Sequence, residues 1–293
     1  MAAAFLLAAC TQDELAEQAG ILPEGKYPLQ IGSVSITADV DAQPWSAGAP
    51  QTRVSENNDR GSSHWDYWDE IGVQIEGSTK SGIYNLYFDY KWHPITPVYW
   101  EDTQAHKVRA WFPADGNVAL NNQTTDNGLA YALYAETAEA VDYKTEKVPL
   151  SFDHKLAKVR VKLQGDQADG VTDVKIKTYT SCTLYSDGTL TAGDTEDFIP
   201  MVETTYEGKT CWEANVVPVS DEMSGYKIER VMVEVNGNYK EITLSKPLAP
   251  LEAMVNTITL KAGDLTPADP ITIANTPSPE AATRPLPSTA ALR

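Results

Sequence analysis

Val231-Met232-Val233-Glu234-Val235-Asn236-Gly237-Asn238-Tyr239, running on to Leu244, decides the architecture. Side chains on a strand alternate between faces, so Val231, Val233 and Val235 share one face while Met232 and Glu234 take the other. Asn and Gly tolerate positive φ, and an Asn-Gly pair between two such runs is the signal of a two-residue hairpin turn. The same alternation recurs outward from this hairpin. Val34, Ile36, Ala38 and Val40 interleave with Ser35, Thr37 and Asp39, and Ile71, Val73 and Ile75 with Gly72, Gln74 and Glu76. Val159, Val161 and Leu163 stand opposite Lys158, Arg160 and Lys162, and Val174 and Ile176 repeat the pattern. Glu76-Gly77-Ser78, Asp115-Gly116-Asn117 and Asp187-Gly188 supply further turns. Helical spacing is scarce. Asp13–Gln18 could form one turn, and Leu129–Tyr143 reads either way, its alanines suiting a helix and Leu129, Tyr131 and Leu133 a strand. The expectation is an all-β protein built of antiparallel, Greek-key sandwiches.

A length of 293 residues suits two such domains, each able to bury a core. The break between them is expected near Val148-Pro149, where the turn-rich residues 136–146 give way to a fresh strand run. The sequence divides into residues 1–9 as a truncated signal peptide, 10–29 as a tether, 30–148 and 149–265 as two sandwiches, and 266–293 as a tail. That tail carries six prolines and little periodicity, and reads as disordered or as an aberrant gene end. With 41 acids against 23 bases, the net charge of −18 repels nucleic acid and anionic headgroups.

No catalytic constellation emerges. His64, His93, His106 and His154 lack ligand spacing, so no metal site is predicted, and His154 reads as a structural histidine. Gly72 and Gly77 mimic the start of a phosphate loop, but Ser78 stands where the lysine is required. There is no Gly-x-Ser-x-Gly elbow. The expectation is a protein that is not an enzyme and carries no cofactor. Cys182 and Cys211 stand as either a disulfide, worth roughly 3–4 kcal/mol for a loop of about 30 residues, or two buried thiols. Tyr84, Leu86, Phe88, Tyr90 and Trp92 share one strand face, where a core is the favoured reading and a glycan platform the other. Trp45, Trp65 and Trp68 lie in or beside loops and are the candidates for partner contact.

Leu7-Ala8-Ala9-Cys10, at the end of an apolar run, resembles the lipobox of bacterial lipoproteins. The resemblance implies that Cys10 is diacylated and becomes the first mature residue, with Thr11-Gln12-Asp13-Glu14 opening the tether. No Lys or Arg precedes the apolar run, which points to a true start upstream of Met1. Met1–Ala9 falls short of the about 20 residues needed to span a bilayer, so the membrane is met through the lipid alone. Each buried methylene contributes about 0.8 kcal/mol, so two or three chains hold durably where one does not.

The order of several segments resembles the fimbrillin family, lipoprotein precursors of type V pilus subunits. These are Gln51-Thr52-Arg53-Val54 after an early strand, Trp68-Asp69-Glu70-Ile71-Gly72-Val73, Tyr99-Trp100, Ala110-Trp111-Phe112-Pro113, and Pro149-Leu150-Ser151-Phe152-Asp153-His154-Lys155-Leu156-Ala157-Lys158-Val159. The family implies two tandem transthyretin-like β-sandwich domains and export to the outer membrane as a surface-exposed, lipid-anchored protein. It also implies cutting by an arginine-specific protease, which removes the first strand and lets a neighbouring subunit donate one in its place. Arg53 is the matching scissile residue, with Arg60 as alternative and a plain surface arginine as the bland reading. The polar, proline-rich tail departs from shaft subunits and fits an anchor, tip or accessory subunit. A surface lipoprotein that binds glycans through exposed aromatics without polymerising is the other function the sequence allows.

Overall fold

The computed structural model describes residues 20–36, 55–56, 63–164, 170–206, 208–220, 223 and 225–261. Among the described residues the first half supplies β1 (Ile31–Ile36), β2 (Ser55–Glu56), β3 (Ser63–His64), β4 (Glu70–Ile75), β5 (Ser81–Leu86), β6 (Trp92–Thr96), β7 (Val108–Phe112), β8 (Asn117–Ala119), β9 (Leu133–Glu136) and β10 (Val148–His154). The second supplies β11 (Ala157–Gln164), β12 (Val171–Tyr179), β13 (Ser181–Leu184), β14 (Leu190–Ala192), β15 (Glu196–Pro200), β16 (Val202–Tyr206), β17 (Lys209–Val216), β18 (Ile228–Val235), β19 (Asn238–Leu248) and β20 (Val255–Lys261). The one helical element described is a 3₁₀ turn at Leu120–Asn122, so the protein is all-β as expected.

The first half is a seven-stranded sheet in the order β1-β10-β9-β7-β4-β5-β6. It curls until its edge strands β1 and β6 approach one another. The curl encloses a core of Ile71, Val73, Tyr84, Val108, Ala110, Leu133, Val148, Leu150 and Phe152. Residues 20–30 close it further, since Leu22 N donates to Glu101 O at 3.0 Å, Leu29 N to Val98 O at 2.8 Å and Trp100 N to Tyr27 O at 2.9 Å. Leu22 and Leu29 are buried, so the later part of the expected tether is packed structure.

β10 alternates buried and exposed residues strictly from Val148 to His154 and pairs with β1 and β9. It therefore belongs to the first sheet, and Val148-Pro149, where a break was expected, lies inside one of that sheet's strands. Pro149 sits inside this strand without harm. Val148 N points toward β1, bonding Gln30 O at 2.9 Å, so position 149 points the other way. There β10 joins β9 only from Asp153 onward, and no ladder bond is lost.

The second half sets two four-stranded sheets, β16-β17-β11-β20 and β15-β12-β18-β19, around one core. The β18–β19 hairpin closes at Val235↔Asn238 with Asn236 at φ 50° and Gly237 at φ 77°, as its sequence predicts. Direction departs from expectation. β1 runs parallel to β10 and β11 parallel to β20, so both principal sheets at the chain's ends are mixed. Lys158, Arg160 and Lys162 were expected on a solvated face, yet Lys158 and Arg160 are buried. Arg160 pairs with Glu213 on β17, and the Tyr206 ring lies 3.9 Å from the Arg160 guanidinium carbon and 3.6 Å from Lys162 Nζ. Pairing and stacking satisfy charges that would otherwise require water.

The halves interlock. β8, from the first, pairs with β13 in a three-stranded sheet β14-β13-β8. Trp111 leaves the first sheet to join the second core. Gln123 is buried between them and uses both ends of its amide. Its Nε2 donates to Leu120 O at 2.9 Å and Asn215 O at 2.8 Å, while Oε1 accepts from Asn215 N at 2.8 Å and Ala130 N at 3.1 Å.

Candidate functional site

Two places on the first sheet could meet a partner: its β1 edge and an exposed aromatic strip beyond β5. At the edge, β1 pairs with β10 through Ile31↔Val148, Val34↔Leu150, Ser35↔Ser151 and Ile36↔Phe152. Ile31 is buried and Val34 and Ile36 pack half-buried against the core, while Val148, Leu150 and Phe152 on the neighbouring strand are at most 3% exposed. β1 therefore covers apolar side chains as well as a row of backbone donors and acceptors.

The strip begins where β5 stops. Tyr87 N donates to Lys91 O at 3.0 Å and Tyr90 N to Tyr87 O at 2.9 Å, so residues 87–91 form a tight turn. Tyr90 adopts φ 58° there, and Trp68, just before β4, adopts φ 75°. Such conformations cost about 1–3 kcal/mol each in a bulky residue and persist only when surroundings impose them. The rings then run in sequence: Tyr87 to Trp68 at 4.8 Å, Trp68 to Phe88 at 5.0 Å, Phe88 to Tyr67 at 5.0 Å and Tyr67 to Tyr90 at 5.1 Å. Trp68, Tyr87, Phe88 and Tyr90 are 47, 40, 64 and 77% exposed. His93 holds the turn, its Nε2 lying 3.1 Å from both Asp89 carboxylate oxygens. Burial alone would raise the Asp89 carboxyl, but His93 and the Lys91 amide outweigh it and hold it below the usual range. A hydrogen bond with Tyr90 raises the Tyr67 phenol.

Trp68 also forms one wall of a cleft of about 500 Å³. Asp69, Glu70, Asp115, Asn117 and Tyr131 contribute to its lining, and no Lys, Arg or His does. Among the described residues no group of His, Cys, Asp or Glu is arranged to hold a metal ion.

The residues singled out in the sequence fare differently. Cys10, Trp45, Arg53 and Arg60 lie outside the described residues. Trp68 is exposed in the strip, whereas Trp65 is half-buried against the first core. It packs edge-on against Trp92 at 5.1 Å, Phe112 at 5.5 Å and Phe152 at 5.0 Å. Of the shared strand face, Tyr84, Leu86 and Trp92 are core, whereas Phe88 and Tyr90 are turned out by the 87–91 turn. Tyr87, read from alternation as the opposite face, joins the strip for the same reason. Cys182 and Cys211 are both buried free thiols on different sheets, so the disulfide is not formed. Cys182 faces the second core from β13, while Cys211 lies on the far face of β17 from the core residues Trp212 and Ala214. Burial pushes each thiol up to about 12.

A family model described as fimbrillin-like matches residues 52–275. No curated protein matches the chain in sequence. Among solved structures, a proposed cell-adhesion protein from Bacteroides ovatus superposes with a TM-score of 0.54 at 14% identity, over 83% of this chain and 96% of its own. One from Bacteroides uniformis gives 0.49 at 18% identity, over 80% and 95%. The fimbrial anchor protein Mfa2 from Porphyromonas gingivalis gives 0.36 at 12% identity, over 80% and 94%.

Proposed function

The chain belongs to the fimbrillin-like family, and on that premise we propose that it is a structural or adhesive subunit of a surface fimbria, assembled by exchange of its first strand. A lipid on Cys10 holds it at the outer membrane, and an arginine-specific protease cuts after Arg53.

The observation that carries this reading is the placement of β1. It is an edge strand, and the chain that leaves it at Ile36 reaches Arg53 before β2 begins at Ser55. A cut there would free the segment that buries Leu22, Leu29 and Ile31. At about 1.5–3 kcal/mol per buried side chain, the three contribute roughly 5–9 kcal/mol, a large share of the about 5–15 kcal/mol that holds a whole domain. The segment does not leave spontaneously at that scale; a strand of matching alternation must displace it. The β10 edge it vacates offers backbone partners and pockets for alternate side chains, the requirements of strand addition.

Limited trypsin digestion of the intact protein tests the reading, with mass spectrometry locating the cut and light scattering the assembly state. A first cut after Arg53 followed by oligomers is the expected result, and Arg53→Ala should remain uncut and monomeric. Clean cutting with persistent monomers would sink strand exchange.

A further inference from the structure

We propose that the ring strip Tyr87–Trp68–Phe88–Tyr67–Tyr90, together with the cleft beside Trp68, is a binding site for a neutral oligosaccharide. The site rests on described residues alone and does not depend on strand exchange.

Three observations converge on it. Large apolar rings left in water are costly, and here four of them are contiguous. Two of the four non-glycine residues at positive φ among the described residues, Trp68 and Tyr90, are in this strip; a third, Asn236, is explained by its hairpin turn. Backbone strain is thus spent on displaying rings rather than hiding them. Finally, Trp68 belongs to both features: one side meets Tyr87 and Phe88, and the indole also walls the cleft.

The chemistry of the lining selects the ligand. A pyranose ring has an apolar C–H face that stacks on an aromatic ring and a rim of hydroxyl donors that carboxylates and amides accept. Glu70, Asp115 and Asn117 supply exposed acceptors and donors beside the ring. Asn85, registered opposite Glu70 and on the same face as the cleft-lining Ile83, is 5% exposed, and its Oδ1 has no hydrogen-bond partner. With no cationic side chain in the cleft lining, Lys91 of the strip's turn set 3.9 Å from the Asp89 carboxylate, and a net charge of −18, anionic sugars are disfavoured. A cation would need ring faces converging on one point within about 6 Å. These rings instead succeed one another in pairs about 5 Å apart, tilted or edge to face, which offers an extended chain of sugar units several separate stacking positions.

The test is an array of neutral, sialylated and sulfated oligosaccharides probed with the intact protein, followed by calorimetric titration of the best neutral binder. Neutral glycans should bind, and Trp68→Ala and Phe88→Ala should each weaken binding by about tenfold or more. Because Trp68 is conformationally constrained, Phe88→Ala and Tyr90→Ala serve as variants at exposed positions, with thermal melts establishing that each is folded. Absence of any neutral binder overturns the proposal, as does binding confined to anionic glycans or retained in the folded variants. A concentration-dependent dimer abolished by Phe88→Ala would overturn it in favour of a protein contact.

Discussion

Gly72 and Trp111 face one another across the β4–β7 ladder, and a Cβ built on Gly72 would fall 2.2 Å from the indole Cε2. The two segments carrying these residues, 68–73 and 110–113, are among those that resemble the fimbrillin family in sequence. Their meeting gives the resemblance a physical reason: a bare backbone under a tryptophan that crosses into the second core. Gly72→Ala should destabilise the fold by about 1–3 kcal/mol through overpacking. Urea unfolding measures it, and a loss within error of zero would mean that the indole simply moves aside.

Gln123 joins the two halves through a fully used amide. Gln123→Ala leaves Asn215 N and Ala130 N without acceptors in a buried site, each unmade bond costing about 1–3 kcal/mol. Unfolding should lose cooperativity, the two halves melting at separate denaturant concentrations. A single unshifted transition would show that β8 and Trp111 suffice to couple them.

Arg160 and Glu213 are 4% and 2% exposed, so neither can be removed alone cheaply. Arg160→Met should cost about 3–5 kcal/mol by stranding the Glu213 carboxylate, while Arg160→Met with Glu213→Leu should recover most of the loss. A double-mutant cycle in guanidinium reads the coupling directly. Additive losses would mean that other groups neutralise Glu213.

Hydrogen bonds from Lys107 and then Arg109, at 2.9 and 2.8 Å, hold the Glu136 carboxyl below its ordinary value of 4.5. A depressed folded-state value means stability present above the unfolded value and lost as pH falls through the folded one. The denaturation midpoint should therefore decline as pH falls below about 4.5, and Glu136→Gln should flatten that decline. An unchanged slope would assign acid sensitivity to other carboxylates.

Both Cys182 and Cys211, raised to about 12 by burial, should resist iodoacetamide in the native protein and react when it is unfolded. Mass spectrometry of the unfolded chain without reductant should place one added group on Cys182 and one on Cys211. Failure to label the unfolded chain would mean that the thiols had paired.

Much of the fold was legible because β12 and β18 bury one face and turn the other outward, which fixes period two in the residues themselves. Asn236-Gly237 announced its turn by composition. Other features had no such mark. Alternation carries no sign of direction, so the parallel partners of β1 and β20 could not be read from Val34 and Ile36 or from Ile258 and Leu260. Pro149 looked like a break because its missing donor matters only where a ladder exists. Arg160 looked solvated because its partner Glu213 lies 53 residues away. The turn at Tyr87–Lys91 contains no Gly, Pro or Asn, so alternation carried Phe88 and Tyr90 inward on paper while the chain turns them out. Trp68 stood out in the sequence as a tryptophan beside a loop, and Phe88 and Tyr90 only as members of a strand face read chiefly as core.

The parallel clasps at the two ends, β1 on β10 and β11 on β20, determine how the protein answers mechanical tension. A pull entering at the N-terminal end of β1 and leaving beyond β20 slides each strand lengthwise along its neighbour. The seven registered pairs from Lys158↔Val255 to Gln164↔Lys261 then bear load together rather than peeling one after another. Any neighbour's strand that took the place of β1 in the same direction would inherit that resistance to shear, which is useful to a filament dragged through flowing liquid.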